Sequence, residues 1–554
     1  MRHIRRFPRV LLVFIGALIV LVFISVLNSE TGDADKHTGS YLELAPDTAT
    51  DNATEYITRK FKVKSGFHSN LPIVIMSLDS EIPDYKSADE SGREIINPGV
   101  EPYTTGNILI IDNDKGENTL RKENEEFKLD NVVYESRIKI KKKGHSSYAY
   151  DKPQYKIKAV LQDGEDNDTS ILGMGEGSEW VLNGSMADKS MLRNYLAYRI
   201  ASEIGGNNMA PDSRFCELMT EEEGKLKYQG VYMLIESVSR GNDRIDIGKY
   251  DPRNRYSPYI VRRDRKTVYD IMLDTYGRQA GIGGSGAIWE TDNWIGLKYP
   301  SAAKVTDVTV DYIEKDFSTV EKVLYSDKIS LFRQYGKFID VDSFADYFLI
   351  NEYFGNYDAG LHSTYMYKDI GERLSIGPVW DFDQAMDNNM LVEMKPEDLA
   401  MQTATFYKEL CRDRQFISEL EKRYRQLSRS TLSTDHVFSI IDEATEYLRS
   451  AQKREWYRWA EDYMDDSAEN PHNYNLEPYR AEGELLSRFN DEYDQEIDVI
   501  KYYLNKHSKA ILPDLAALYR KAKIDTASGG MRELIFIAAM FLLFVPAYLI
   551  NRRE

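Results

Sequence analysis

Apolar and polar positions alternate strictly in several stretches of the first half of the chain. RIKIKKK (Arg137–Lys143) and QYKIKAV (Gln154–Val160) switch at nearly every residue, as half-buried strands do. The loop GHSSYAYDK between them holds turn-forming residues, so the pair is predicted to run antiparallel. LPIVIMSLD (Leu71–Asp79), NILIID (Asn107–Asp112), EWVLNGS (Glu179–Ser185), RFCELMT and YQGVYMLIE read as further strands. One segment breaks the series. In DKSMLRNYLAYRIASEIGG, Met191, Leu192, Tyr195, Leu196, Ile200 and Ile204 recur at helical spacing. Asp188 or Ser190 is the expected cap, and Gly205-Gly206 the stop. A polar, Gly-rich section follows at about 240–300. Aromatic residues at helical spacing then mark Val341–Tyr353, with Asp342 or Ser343 as its cap. STYMYK, a DIGER turn and RLSIGPVW predict a hairpin. From about 395 to 520 the pattern is helical, in FISELEKRYRQLS, VFSIIDEATEYLRSAQ and EIDVIKYYLNK. The order predicts an α+β, two-lobed fold: a β-rich N-lobe at about 70–250 and a helical C-lobe at about 300–520.

The ends change the picture. Val10–Leu27 carries no charge and is long enough to cross a bilayer as a helix; Leu534–Ile550 is at the lower limit of length. Arg2, Arg5, Arg6 and Arg9 precede the first run, and an acidic stretch follows it. The positive-inside rule then places residues 1–9 and 551–554 in the cytoplasm and the main domain, 56–525, outside it. A signal peptide is the competing reading of the first run, but no small-x-small cleavage site follows. Residues 28–55, rich in Asp, Thr and Ser, read as a flexible stalk. The formal charge is −19, which disfavours nucleic acid as a partner and favours a basic one. The two cysteines, Cys216 and Cys411, build neither a metal motif nor a disulfide framework and are expected to be small core residues.

Candidate chemistry lies around the predicted hairpin. NEYFGNYDAG (351–360) places Asp358 in a Gly-flanked loop, and WDFDQAM (380–386) places Asp381 and Asp383 just after the hairpin. Helix, Asp loop, hairpin, Asp-Phe is the order protein kinases use. Phosphoryl transfer needs one carboxylate to orient the acceptor hydroxyl and take its proton. It needs a second to hold the metal that bridges the phosphates. A tight hairpin fixes the separation of the two. Loop aspartates are also common turn formers, so the spacing does not decide the matter alone.

The segments KGHSSYAYDKPQYKIK (143–158), LGMGEGSEWVLNGSMADKSMLRNYLAYRIASEIG (172–205), YQGVYMLIE with NDRIDI (228–247), NEYFGNYDAGLHSTYMYKD (351–369) and GPVWDFDQAM (377–386) together resemble the CotH kinase family, the spore coat protein H type of atypical protein kinase. The resemblance implies a reduced kinase-like fold, ATP with a divalent metal (Mg or Mn) as cofactors, and Ser/Thr of protein partners as acceptors, in a spore coat or cell envelope. By position it implies Asp358 as the catalytic-loop Asp and Asp381 as the metal-binding Asp. Asp383 either assists the metal or caps a helix. Trp380 is a site wall or core. Lys156 is the preferred phosphate-contacting lysine, with Lys152, Lys189 and Arg193 as other candidates. Ser146 and Ser147 of the GHSSY loop are candidate phosphate contacts, and Glu236 is a candidate neighbour of the base. The chain departs from common kinases in lacking GxGxxG and HRD; Asn356 and Tyr357 precede Asp358. Ser363 stands where common kinases carry a metal-binding Asn, and His362 beside it is expected to be a packing or hydrogen-bonding residue. The competing readings are a catalytically weak or inactive kinase-like scaffold and a wall-associated binding module.

Overall fold

The computed structural model describes residues 52–88, 94–113, 115–124, 126–144, 146–265, 271–282, 293–388, 395–464, 479–481, 484–486 and 490–525, with Leu44 and Asp47. Both runs expected to span a membrane, 10–27 and 534–550, lie outside them, as does most of the 28–55 stalk. No helix among the described residues is long and apolar enough to cross a membrane.

The alternating segments close into a barrel. Its strands are β1 (Ile73–Leu78), β2 (Thr104–Ile111), β3 (Val132–Lys143), β4 (Gln154–Val160), β5 (Glu179–Asn183), β6 (Ser213–Glu222) and β7 (Lys225–Glu236). Around the barrel the order is β5-β7-β6-β1-β2-β3-β4, and β4 closes back onto β5. Only β6 and β1 pair in parallel. The period of two supplies the interior: Val74 and Met76, Ile108 and Ile110, Ile138 and Ile140, Leu218, Trp180 with Leu182, and Tyr232 with Leu234 form one buried cluster. Their alternate neighbours point outward, so Lys139 and Lys141 on β3 lie level with Lys158 and Lys156 on β4 across the outer face.

Helix α1 (Arg193–Gly205) sits between β5 and β6 in sequence. Neither expected residue is its N-cap, which is Leu192 and makes no side-chain cap bond; Ser190 Oγ and Asp188 Oδ2 instead accept the N–H groups of Leu192 and Arg193 in the turn that leads into the helix. Val181, Phe215, Met233 and Ile235, on the other face of their strands, join α1 in the largest apolar cluster, which runs on into the helices.

The section at about 240–300 is not merely polar loop. It holds β8 (Tyr259–Arg265), β9 (Ile271–Met272) and β10 (Asn293–Tyr299). These join the predicted hairpin, β11 (Thr364–Lys368) and β12 (Ser375–Ile376), in a second sheet of order β9-β10-β8-β11-β12. The helical layer contains α2 (Asp307–Leu324), α3 (Val341–Tyr353), α4 (Arg414–Leu427), α5 (Thr434–Tyr447), α6 (Arg449–Arg458) and α7 (Tyr493–Lys521). Helix α3 begins where the aromatic spacing placed it, but neither Asp342 nor Ser343 caps it; the Ser343 hydroxyl donates to the Asp340 carbonyl. The single helix expected over VFSIIDEATEYLRSAQ breaks at Leu448 into α5 and α6.

Helix α6 is fastened to the barrel by two buried ion pairs. Arg454 grips Glu217 of β6 through Nε at 2.7 Å and Nη2 at 2.8 Å. Glu455 takes Lys152 Nζ at 2.6 Å and, on its other oxygen, the N–H of Val231 at 2.7 Å. Cys216 is buried and Cys411 half-buried, and both are free thiols.

Candidate active site

The Asp358 loop leaves α3 through Gly355, whose φ is +56°; a Cβ there would overlap the Tyr503 hydroxyl. The chain then turns on Asp358, whose carbonyl accepts the N–H groups of Leu361 (3.0 Å) and His362 (2.8 Å). Ser363 ends the loop with φ at 46° and enters β11. After the hairpin, Asp381 also takes a left-handed conformation, φ 66°, which Asp tolerates better than most residues.

The two loops are tied together. The Asn356 amide donates to Asn351 Oδ1 at 3.1 Å and to the Asp381 carbonyl at 3.3 Å. The Ser363 hydroxyl donates to Asp381 Oδ2 at 3.2 Å. Helix α1 holds the second loop from behind: the N–H of Asp381 donates to the Tyr198 hydroxyl at 3.3 Å, and that of Phe382 to Asn194 Oδ1 at 2.7 Å. Asp358, Ser363 and Asp381 are half-buried, so the place where the two loops meet is reached by solvent.

Charges converge on it. Burial pushes the Asp358 carboxyl above the usual carboxylate range; His362 pulls it down, and the Asp381 charge adds to the rise. Asp383 is pushed up further, by burial first and then by Asp381, Asp188 and Asp358. Asp358, Asp381 and Asp383 therefore share one electrostatic neighbourhood. The pairing of β8 with β11, Arg262 opposite Tyr365, brings β8 alongside. Arg262 and Asp264 act on Lys143, and Asp264 and Arg265 act on Asp358.

The cation facing Asp381 is Lys143, the last residue of β3. Its Nζ lies 5.5 Å from the centre of the Trp380 ring. Burial lowers its pKa, and Asp381 is the largest opposing influence. The alternation sets Lys143 on one face with Lys139 and Lys141; strand pairing and the position of Trp380 single it out from them.

The other lysine candidates are engaged elsewhere. Lys156 pairs with Glu179 at 2.9 Å, and Lys298 of β10 approaches the same carboxylate oxygen at 3.8 Å. Burial would raise the Glu179 pKa, but Lys298 and Lys156 outweigh it and hold it at about 2. Lys152 is fully enclosed, bonded to Glu455 and to the Val231 carbonyl. Lys189 donates to the carbonyls of Tyr463 and Asn490. Arg193 is buried on Asp188 and the Ala385 carbonyl. Lys152, Lys189 and Arg193 are thus each bonded to groups within the fold.

Of the remaining candidates, Ser146 and Ser147 open one turn of 3-10 helix that follows Gly144. Glu236 ends β7 and accepts the N–H of Asp212 at 3.1 Å. Burial raises its pKa to about 7, against the pull of Arg244. The Asp383 cap is a correction: residues 383–388 form turns, no helix starts there, and the side chain is buried beside Asp381. Trp380 is 7% exposed, packed on Tyr198 and Tyr365 while Lys143 covers its ring; wall and core are one role here.

Among the described residues no group of three or more His, Cys, Asp or Glu is placed to hold a metal ion alone. Mg²⁺ is commonly held by one or two carboxylates together with substrate phosphates. The residues present fit such an ion: a half-exposed Asp381 carboxylate, with the Ser363 hydroxyl on one of its oxygens.

No curated protein matches the chain. The family model described as CotH kinase protein matches residues 140–511, from the end of β3 through most of α7 and across both aspartate loops. On that match over more than half its length, the chain belongs to the CotH kinase family.

Proposed function

We propose that the chain is a membrane-anchored atypical protein kinase that transfers the γ-phosphoryl group of ATP to Ser or Thr of a basic, Ser/Thr-rich protein partner, in spore coat or cell-envelope assembly. The observation that carries the reading is the meeting of the two loops: Asn356 of the Asp358 loop bonds the Asp381 carbonyl, and Lys143 lies over Trp380 beside Asp381. Asp381 holds the metal, with Asp383 behind it and the Ser363 hydroxyl in the place where common kinases use an Asn. Mg²⁺ or Mn²⁺, when bound, would neutralise charge on the phosphates of ATP, the phosphoryl donor. Lys143 contacts the phosphates from the barrel side. Asp358 orients the acceptor hydroxyl and takes its proton. Its upward-shifted pKa makes it a better base than a solvated Asp, since general bases work best with a pKa near the operating pH. The uncharged runs at 10–27 and 534–550 support the anchoring, and the charge of −19 supports a basic partner.

The test is metal-dependent ATP binding and transfer of labelled phosphate to a basic, Ser-rich protein. Asp381→Ala should abolish metal-dependent nucleotide binding. Asp358→Ala should spare binding and lower transfer by about 10²–10⁴-fold. Binding without transfer in the wild type would leave a nucleotide-holding scaffold. Equal activity in wild type and both variants would remove the kinase assignment.

A further inference from the structure

Between β1 and β2 the chain inserts a small two-stranded ribbon, Lys86–Ala88 paired with Glu94–Ile96. It lies outside the 140–511 stretch that the family model matches. The residues that enter it reach across to the end of β3. Lys86 Nζ donates to the Gly144 carbonyl at 2.9 Å. The Tyr85 hydroxyl donates to the Lys142 carbonyl at 3.3 Å. Asp84 forms an ion pair with the Lys142 side chain. These carbonyls belong to the residues immediately before and after Lys143.

The ribbon is itself braced. The Asn97 N–H donates to the Tyr85 carbonyl at 2.8 Å, and its side-chain amide to the Asp84 carbonyl at 2.8 Å. Tyr85 is 3% exposed and meets the Tyr148 ring edge-on at 5.6 Å, with Lys86 Nζ 5.7 Å and 5.5 Å from the two ring centres. Tyr148 belongs to the loop that follows Lys143. Gly144 is the turning point: φ is +121°, and a Cβ would overlap the Ser147 hydroxyl.

The β3–β4 ladder ends at the pair Lys143–Gln154, so no further ladder contact fixes the backbone beyond it. A lysine has a long, freely rotating stem, and aiming it costs side-chain entropy unless its base is held. We infer that Tyr85 and Lys86 are positioning residues for Lys143: by bonding the carbonyls on either side of it, they fix the backbone from which its ammonium reaches towards Asp381. This rests on the reading of Lys143 as the phosphate-contacting lysine.

The test uses the full chain, with Mg·ATP as the probe. Lys86→Met should weaken Mg·ATP binding about tenfold, the scale of one charged hydrogen bond. The kcat of transfer should stay within about twofold, as for a loss of uniform binding. Lys86→Arg should restore affinity, and Tyr85→Phe should weaken it about threefold, since its bond is longer and neutral. Without nucleotide, hydrogen exchange of the amides of Lys142–Gly144 and Ser147–Tyr148 should rise in Lys86→Met. If Lys86→Met and Tyr85→Phe bind like wild type while Asp381→Ala does not bind, the positioning role is overturned and the kinase reading stands. If the wild type binds no Mg·ATP, the kinase reading fails, and unchanged exchange in Lys86→Met overturns the brace as well.

Discussion

Lys152→Met separates a structural lysine from a phosphate-binding one. Lys152 Nζ lies 2.6 Å from Glu455 Oε1, 2.7 Å from the Val231 carbonyl and 5.0 Å from the centre of the Tyr232 ring. Neither partner of the ion pair has any exposed side-chain surface. Methionine keeps most of the stem's volume and removes the charge. Glu455 would then remain buried with the N–H of Val231 and the Tyr463 hydroxyl but no cation. Losing one member of a fully buried pair typically costs about 3–5 kcal/mol, most of it the penalty on the charge left behind. Unfolding in urea, followed by tryptophan fluorescence, should show a midpoint lowered accordingly with little change in slope. Replacing both residues with Met should cost less than the sum of the two single changes, because neither charge is then stranded.

Lys143→Met is the matched control. That side chain is half-buried and sits in no bidentate buried pair, so stability should change by less than about 1 kcal/mol while Mg·ATP binding is lost. The opposite outcome, an unchanged midpoint in Lys152→Met together with lost nucleotide binding, would refute the reasoning. It would mean that Lys152 leaves Glu455 for the phosphates.

Two further outcomes follow from buried polar groups. His507 has Nδ1 2.7 Å from the Pro396 carbonyl and Nε2 2.6 Å from the Glu352 carbonyl, an arrangement that favours the imidazolium, the form that can donate from both nitrogens. Burial pushes its pKa down, but the Glu352 carboxylate and the two carbonyls outweigh it and the net direction is up. Its stabilising contribution is therefore complete below the ordinary value of about 6.5 and is lost as pH rises through the folded value; urea midpoints measured against pH should show that alkaline decline, and His507→Gln should flatten it. Asn356→Ala removes the bonds to Asn351 Oδ1 and the Asp381 carbonyl, and should weaken Mg·ATP binding about tenfold by calorimetry with the fold intact. An affinity unchanged in that variant would show that the two loops hold their places without the tie.

The barrel was legible because its strands carry the period of two with little interruption: Ile138 and Ile140 face in, and Lys139 and Lys141 face out. Helices α3, α4 and α7 were legible for the corresponding reason at a longer period. The second sheet was hidden by its own job. In β8 the segment RRDR follows YIV, so charge runs through positions where a strand ordinarily alternates. Arg263 and Asp264 are buried in spite of it. Strands that carry such charges lose the pattern that announces strands. The break between α5 and α6 was invisible because no Gly or Pro stands near Leu448. For the lysines, sequence offered several equivalent residues. Lys156 stands on a strand beside the Gly/Ser loop in the sequence, but the register sets it opposite Lys141, where Glu179 pairs with it.

The order of elements accounts for why Asp358 and Asp381 are near each other, but not for where the Asp381 carboxylate points. A hairpin as short as β11–β12 leaves its exit free to rotate. What removes that freedom is α1, whose Asn194 receives the Phe382 amide from 188 residues away and whose Tyr198 receives the Asp381 amide. Those two bonds fix a left-handed Asp381, a conformation that costs energy and persists only where surrounding contacts over-determine it. The same helix is seated by Arg193, bonded to the Ala385 carbonyl beyond the second loop. Thus the stretch ADKSMLRNYLAYRIA is the mould for the WDFD turn, which its Arg193, Asn194 and Tyr198 meet. This gives the helix a role different from supplying a catalytic group: it sets the direction of a carboxylate through backbone amides. It also explains why Asn194 and Arg193 are fully buried in a helix whose periodicity alone would place them on the solvent side.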